Sequence, residues 1–194
     1  LDDHLHLLGG LCFIYVHRSA PGVIKHQAQG GVNLGYHSGP ATQEEGYALA
    51  QVGVSFFTQA GLDSKALPVL QQARWQKLVW NIPYNGLSVL LNSDIEQLMS
   101  EAHSRELVTQ LMEETMVAAQ ACGYTLPDNL VQALLKYTDA MPAYLPSMFH
   151  DFNQKRPMEL QAIYHAPLAA AQAAGCAMPK TSMLLQTLEY LSAQ

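Results

Sequence analysis

Charged side chains are scarce in this chain: Asp, Glu, Lys and Arg make up 13% of 194 residues, 10 basic against 16 acidic. No basic cluster occurs, and a formal net charge of −6 repels a phosphate backbone, so no nucleic-acid partner is expected. No stretch reaches the ~18 continuous apolar residues of a membrane span, so no membrane partner is expected either. The opening run LDDHLHLLGG has no basic n-region and no unbroken apolar segment, and it does not read as a signal peptide. Cysteine is rare as well. Cys12, Cys122 and Cys176 are far apart, odd in number and outside any CxxC frame. That pattern fits buried thiols in a reducing cytoplasm better than disulfides or metal ligands. Histidine is more frequent, but His4, His6, His17, His26 and His37 show no H-E-x-x-H frame and no CxxC partner, so no metal is expected. Ser147, His150 and Asp151 stand too close in sequence for a hydrolytic triad, and the chain has no G-x-S-x-G elbow.

What is abundant is apolar surface, at 49% of residues. That is enough for one domain, or for a small domain joined to part of another. GGLCFIYVHR, GVIKHQ and GVNLGYHSG are short apolar or alternating runs separated by Gly, Pro and Ser, as strands and turns are. Helical periods take over at Thr42. Thr42 to Glu45 reads as a capping box, and Gly61 suits the left-handed end of the helix it opens. A longer helix is predicted over LPVLQQARWQKLVWNIPYNGLSVLL, and a second capping box over Ser93 to Glu96. Helices follow over SRELVTQLMEETMVAAQACG and PDNLVQALLKYTDAM, then a polar turn around YLPSMFHDFNQKRP. Two more, MELQAIYHAPLAAAQAAGCAMP and TSMLLQTLEYL, complete a bundle. The expected fold is mainly α. Residues 1–41 read as the end of one domain and residues 42–194 as a helical domain beginning near 42 to 65. The opening run reads as an element already under way, as in a chain cut upstream.

One stretch carries chemistry. KLVWNIPYN places Lys77, Asn81 and Asn85 four residues apart, on one helix face over about 12 Å. Pro83 has no N–H, so the Val79 carbonyl loses its helical donor and a kink is expected there. Spacing alone fits a solvated stripe. Two features argue for a site: the flanking residues are strongly apolar, and asparagine is a poor interior helix residue. A partly desolvated lysine can protonate an oxygen that becomes negative during reaction, while amides orient a carbonyl or hydroxyl.

KLVWNIPYNGLSVLL resembles the signature helix of ketopantoate reductases (2-dehydropantoate 2-reductases), K-L-x-x-N-x-x-x-N-x-L-x-A-L. PSMFHDFNQKRPMELQAI is similar to the family's P-S-M-x-x-D-x-x-x-x-R-x-T-E-I-D-x-I, with no gap between Ser147 and Glu159. GGLCFIYVHRSAPGVIKHQAQGGVNLG resembles the last strands of the family's nucleotide-binding domain. The resemblance implies a cytoplasmic, NADPH-dependent reductase of 2-dehydropantoate on the route to pantothenate and coenzyme A. It makes residues 1–41 the remnant of a Rossmann-type NADP-binding domain and 42–194 a substrate-binding and dimerisation domain. It also implies Lys77 as general acid, Asn81, Asn85 and Ser147 as substrate-binding, and Glu159 and the Val16 backbone as cofactor contacts. The partner is then a small-molecule 2-oxo acid. A homodimer stays open, since the family contains both monomers and dimers and the Met- and Ala-rich helices are favoured as core.

Departures accompany the likeness. The family's G-x-G-x-x-G loop is absent from these residues, so the isolated chain is expected to bind NADPH weakly and not to turn over. Met158 and Gln161 replace the usual Thr and Asp, and Tyr164 and His165 stand where Asn-Gly is common. A reductase of another 2-oxo acid and an idle helical dimerisation module are the alternatives left open.

Overall fold

A computed structural model describes residues 4–193, the His17 side chain excepted, so part of the opening run lies outside the described residues. The chain divides into two compact units, Leu1–Arg74 and Trp75–Gln194.

The first unit is built on a hairpin of β1 (Leu7–Ala20) and β2 (Val23–Ser38). Pro21 and Gly22 turn the chain between them, with Gly22 at φ 76°, where only a glycine rests without strain. The strands pair antiparallel from Leu7 opposite Ser38 to Ala20 opposite Val23. The runs GVIKHQ and GVNLGYHSG, expected as two elements, are one strand. Register shifts between Phe13 and Ile14 and between Tyr15 and Val16 absorb the intervening residues as bulges, with Gln29 at φ 58°. The short β3 (Ala66–Leu67) joins β2 in parallel. Helix α1 (Gln43–Gln59) opens with the expected capping box: Thr42 N–H donates to Glu45 Oε2 at 2.8 Å, and Glu45 N–H to Thr42 Oγ1 at 3.3 Å. Gly46 lets α1 approach the sheet, since a Cβ there would lie 2.5 Å from the Tyr36 ring.

The second unit is a helical bundle. Helix α2 (Leu70–Leu91) carries a core segment in which every residue from Ile82 to Val89 is buried. Around it pack α3 (Ile95–Ser100), α4 (Ala102–Ala121), α5 (Leu130–Asp139), α6 (Ser147–Asn153), α7 (Ala166–Ala173) and α8 (Pro179–Ser192). Val79, Ile82, Tyr84, Val108, Met112, Met148, Tyr164, Leu184 and Leu188 form the centre of one continuous apolar core. Between helices, Arg105 grips Asp139 with two bonds of 2.6 and 2.8 Å, tying α4 to α5.

Three expectations are corrected. The second capping box is Asp94 with Gln97, one residue later than expected, because the Ser93 hydroxyl donates to Leu91 O instead. The segment expected as a polar turn contains α6, since Met148 and Phe149 are apolar enough to bury. Cys12 is exposed, and Cys122 and Cys176 are only half-buried, so none of the three is the buried thiol expected. Helix α2 runs on as helix past Pro83, which lies inside it.

Candidate active site

The polar line on α2 descends into the protein. Lys77 and Asn81 are half-buried, whereas Asn85, two turns further, is 3% exposed. A side-chain amide at that depth needs partners, and Asn85 has them. Its Nδ2 donates to the Asn81 carbonyl at 3.1 Å, and its Oδ1 accepts from the backbone N–H of Met148 at 3.4 Å. One amide hydrogen and one lone pair are left over. Met148 follows Ser147, the exposed first residue of α6. Asn85 therefore fixes the start of α6, and with it Ser147, against the line begun by Lys77.

A second tether arrives from the segment after Glu159. Glu159 is exposed and precedes a single π-helical stretch, Gln161–His165. Tyr164, in that stretch, donates its hydroxyl to the Ile82 carbonyl at 2.9 Å. Ile82 stands between Asn81 and Pro83. Both distant blocks that the sequence singled out, around Ser147 and after Glu159, are thus bonded to the same turn of α2. Val16 lies in the first unit, on β1 opposite His26 and beside a bulge.

Several aromatic side chains of the bundle are buried or half-buried, and their hydroxyls are protonated. Trp80 packs its ring 4.7 Å from that of Tyr84 and donates Nε1–H to Thr138 Oγ1 at 3.1 Å. Burial pushes the Tyr84 hydroxyl up to about 12, raises that of Tyr144, and raises that of Tyr164 far above the ordinary range. These hydroxyls stay donors at any physiological pH. Among the described residues no group of His, Cys, Asp or Glu is placed to hold a metal ion.

Tyr164 was not singled out by the sequence beyond its departure from the family pattern. Its signal is joint: a large side chain at 164 needs a small one opposite, and Gly86 supplies it. A Cβ on Gly86 would lie 2.5 Å from the Tyr164 hydroxyl.

Residues 69–191 match the family model "Ketopantoate reductase PanE/ApbA C terminal", well over half of the chain. The chain belongs to the ketopantoate reductase family. A 2-dehydropantoate 2-reductase of Nostoc sp. is 39% identical over 188 residues, which are 96% of this chain and 59% of that protein. The crystal structure of 2-dehydropantoate 2-reductase from Geobacter metallireducens superposes with a TM-score of 0.87 at 37% identity, covering 94% of this chain and 60% of that one. That from Methylococcus capsulatus gives 0.84 at 33% identity, covering 97% and 59%. The family resemblance and the mainly helical fold read from the sequence are both borne out. The chain spans about three fifths of the length of these ketopantoate reductases.

Proposed function

We propose that this chain forms the substrate-binding part of an NADPH-dependent reductase that converts 2-dehydropantoate to pantoate. The observation that carries the reading is the convergence of the Ser147 and post-Glu159 segments on the α2 turn next to Asn81. Hydride addition to a ketone builds negative charge on its oxygen. An ammonium at hydrogen-bond distance stabilises that charge most in the transition state, which is the role assigned to Lys77. Asn81, Asn85 and Ser147 orient the 2-oxo acid through its carbonyl, hydroxyl and carboxylate oxygens.

NADPH, when bound, supplies the hydride. The family resemblance assigns the exposed Glu159 carboxylate, an acceptor for hydroxyl groups, to the cofactor, and it assigns the Val16 backbone, beside a bulge in the strand pairing, to the nicotinamide. No residue run here fits the pyrophosphate, because no strand-to-helix turn carries G-x-G-x-x-G. The same proposal places residues 1–41 with the nucleotide-binding domain, 42–194 with substrate binding and dimerisation, and the protein in the cytoplasm.

Calorimetric titration of the chain with ketopantoate, pyruvate and phenylglyoxylate tests the reading. Ketopantoate should bind best, and Lys77→Ala or Asn81→Ala should weaken it about tenfold or more. Preference for another 2-oxo acid reassigns the substrate. Absence of binding by the folded chain to all three overturns the reading and leaves an idle helical module.

A further inference from the structure

We propose that the Tyr164 hydroxyl is a positioning group, which holds the turn of α2 bearing Asn81 and Asn85 through the Ile82 carbonyl. Its consequence for substrate rests on the function proposed above; its structural content does not.

Proline at 83 removes the donor that the Val79 carbonyl would use, so the turn ending at Pro83 has one helical bond fewer than its neighbours. This is the soft point of α2, and it sits between the two asparagines. The Tyr164 hydroxyl reaches it from 82 residues away, at 2.9 Å from Ile82 O. That oxygen is also the helical acceptor for Gly86 N–H, so Tyr164 adds a second donor to a carbonyl in the turn that the proline interrupts. Tyr164 has no exposed surface. Burial raises its hydroxyl well above the ordinary range, and the group remains a donor.

Gly86 is the other half of the device. A Cβ there would stand 2.5 Å from the Tyr164 hydroxyl and 2.6 Å from Leu184 Cδ2, closer than real Cβ atoms come. Only glycine at 86 admits the hydroxyl to the Ile82 carbonyl without displacement. Tyr164 also belongs to the π-helical stretch Gln161–His165, whose wider i→i+5 turn departs from the α-helical path that α7 then resumes. The turn held this way carries the Asn81 carbonyl, which receives Asn85 Nδ2, and Asn85 in turn receives Met148 N–H beside Ser147. A shift at Ile82 therefore moves three proposed substrate groups together.

Tyr164→Phe keeps the ring and deletes the hydroxyl. In NMR spectra of the ligand-free chain, the Asn85 side-chain amide and the Gly86 and Met148 backbone amides should shift. Their exchange with solvent should quicken about five- to tenfold. Ketopantoate affinity should fall by a similar factor at temperatures where the variant is fully folded. Gly86→Ala should move the same amides by pushing the hydroxyl away, and it serves if Tyr164→Phe fails to fold. In the double variant the two effects should be less than additive. Unmoved Asn85 and Met148 amides in a folded variant overturn the proposal. Moved amides with ketopantoate affinity within twofold of the parent leave Tyr164 a structural residue and overturn the positioning role. If the parent binds no 2-oxo acid, the functional reading has failed and the amide signals alone decide on Tyr164.

Discussion

Met148 donates its backbone N–H to the side-chain oxygen of Asn85, 63 residues earlier in the chain, and both residues are buried. The bond is long at 3.4 Å, and losing it would leave a buried donor and a buried acceptor unpaired. It is how a residue on the core helix sets the position of an exposed serine on another element.

Asn85→Ala removes the acceptor and leaves a buried amide unpaired, which costs about 1–3 kcal/mol. The thermal midpoint should drop by roughly 2–4 °C per kcal/mol for a chain of this size. Asn85→Asp should do no better, since it keeps an acceptor but buries a charge and cannot donate to Asn81. Differential scanning calorimetry of both variants checks this; a midpoint unchanged in Asn85→Ala would remove the bond from the account.

Glu114 on α4 caps α8 from outside. Its two oxygens accept from Lys180 N–H at 2.9 Å, Thr181 N–H at 2.8 Å and the Thr181 hydroxyl at 2.7 Å. Orphan amides at a helix start, satisfied by a carboxylate, resemble an N-cap contributed from another helix. Glu114→Ala should cost about 1–2 kcal/mol in urea unfolding, and Glu114→Gln distinctly less. Equal losses would mean that the contribution is packing rather than capping.

Stability should be level at neutral pH and decline in acid. The carboxyls of Glu45, Glu101 and Asp139 are held below their ordinary values. The causes are, respectively, the Thr42 backbone N–H, the Ser104 backbone N–H and the hydrogen-bonded Arg105 guanidinium. A lowered folded-state pKa favours folding above the unfolded-state value, and this contribution is lost as pH falls through the folded-state value. The decline therefore begins as pH enters the ordinary carboxylate range, about pH 4–5, and continues below it. Asp139→Asn should flatten it. Urea midpoints collected from neutral pH down to pH 3 test the point, and an unaltered acid slope in Asp139→Asn speaks against the Arg105 pair as a source.

Lys77→Ala should lower ketopantoate reduction by about 10²–10⁴-fold in a protein joining this chain to a nucleotide-binding domain, with KM affected far less. Lys77→Arg should not restore the rate, because a guanidinium does not give up its proton. A rate within tenfold of the parent in Lys77→Ala would take the general-acid role from this residue.

The parts legible in the sequence were those set by local chemistry. Thr42 and Glu45 form the capping box their spacing announced, and the four-residue rhythm of Lys77, Asn81 and Asn85 falls on one helix as expected. What stayed hidden depends on partners far along the chain. Ser93 looked like a cap, but its hydroxyl closes the preceding helix. Met148 and Phe149 looked like part of a polar turn because their burial depends on the rest of the core. Tyr164 looked like a local substitution, and its meaning emerged only when Gly86 was found opposite it. A pairwise fit across 78 residues leaves no periodic trace in either segment.

The unbroken course of α2 through Pro83 has a bearing on the order of assembly. The residue before a proline resists the helical conformation, and nucleating a helix across that step is unfavourable in isolation. A peptide spanning residues 70–91 should be helical on either side of Pro83 and frayed across it. The missing continuity is restored by contacts that arrive from Met148 and Tyr164, late in the chain. The turn bearing Asn81 and Asn85 should then complete only when the bundle does, and a half-folded chain should present no half-formed version of the proposed site.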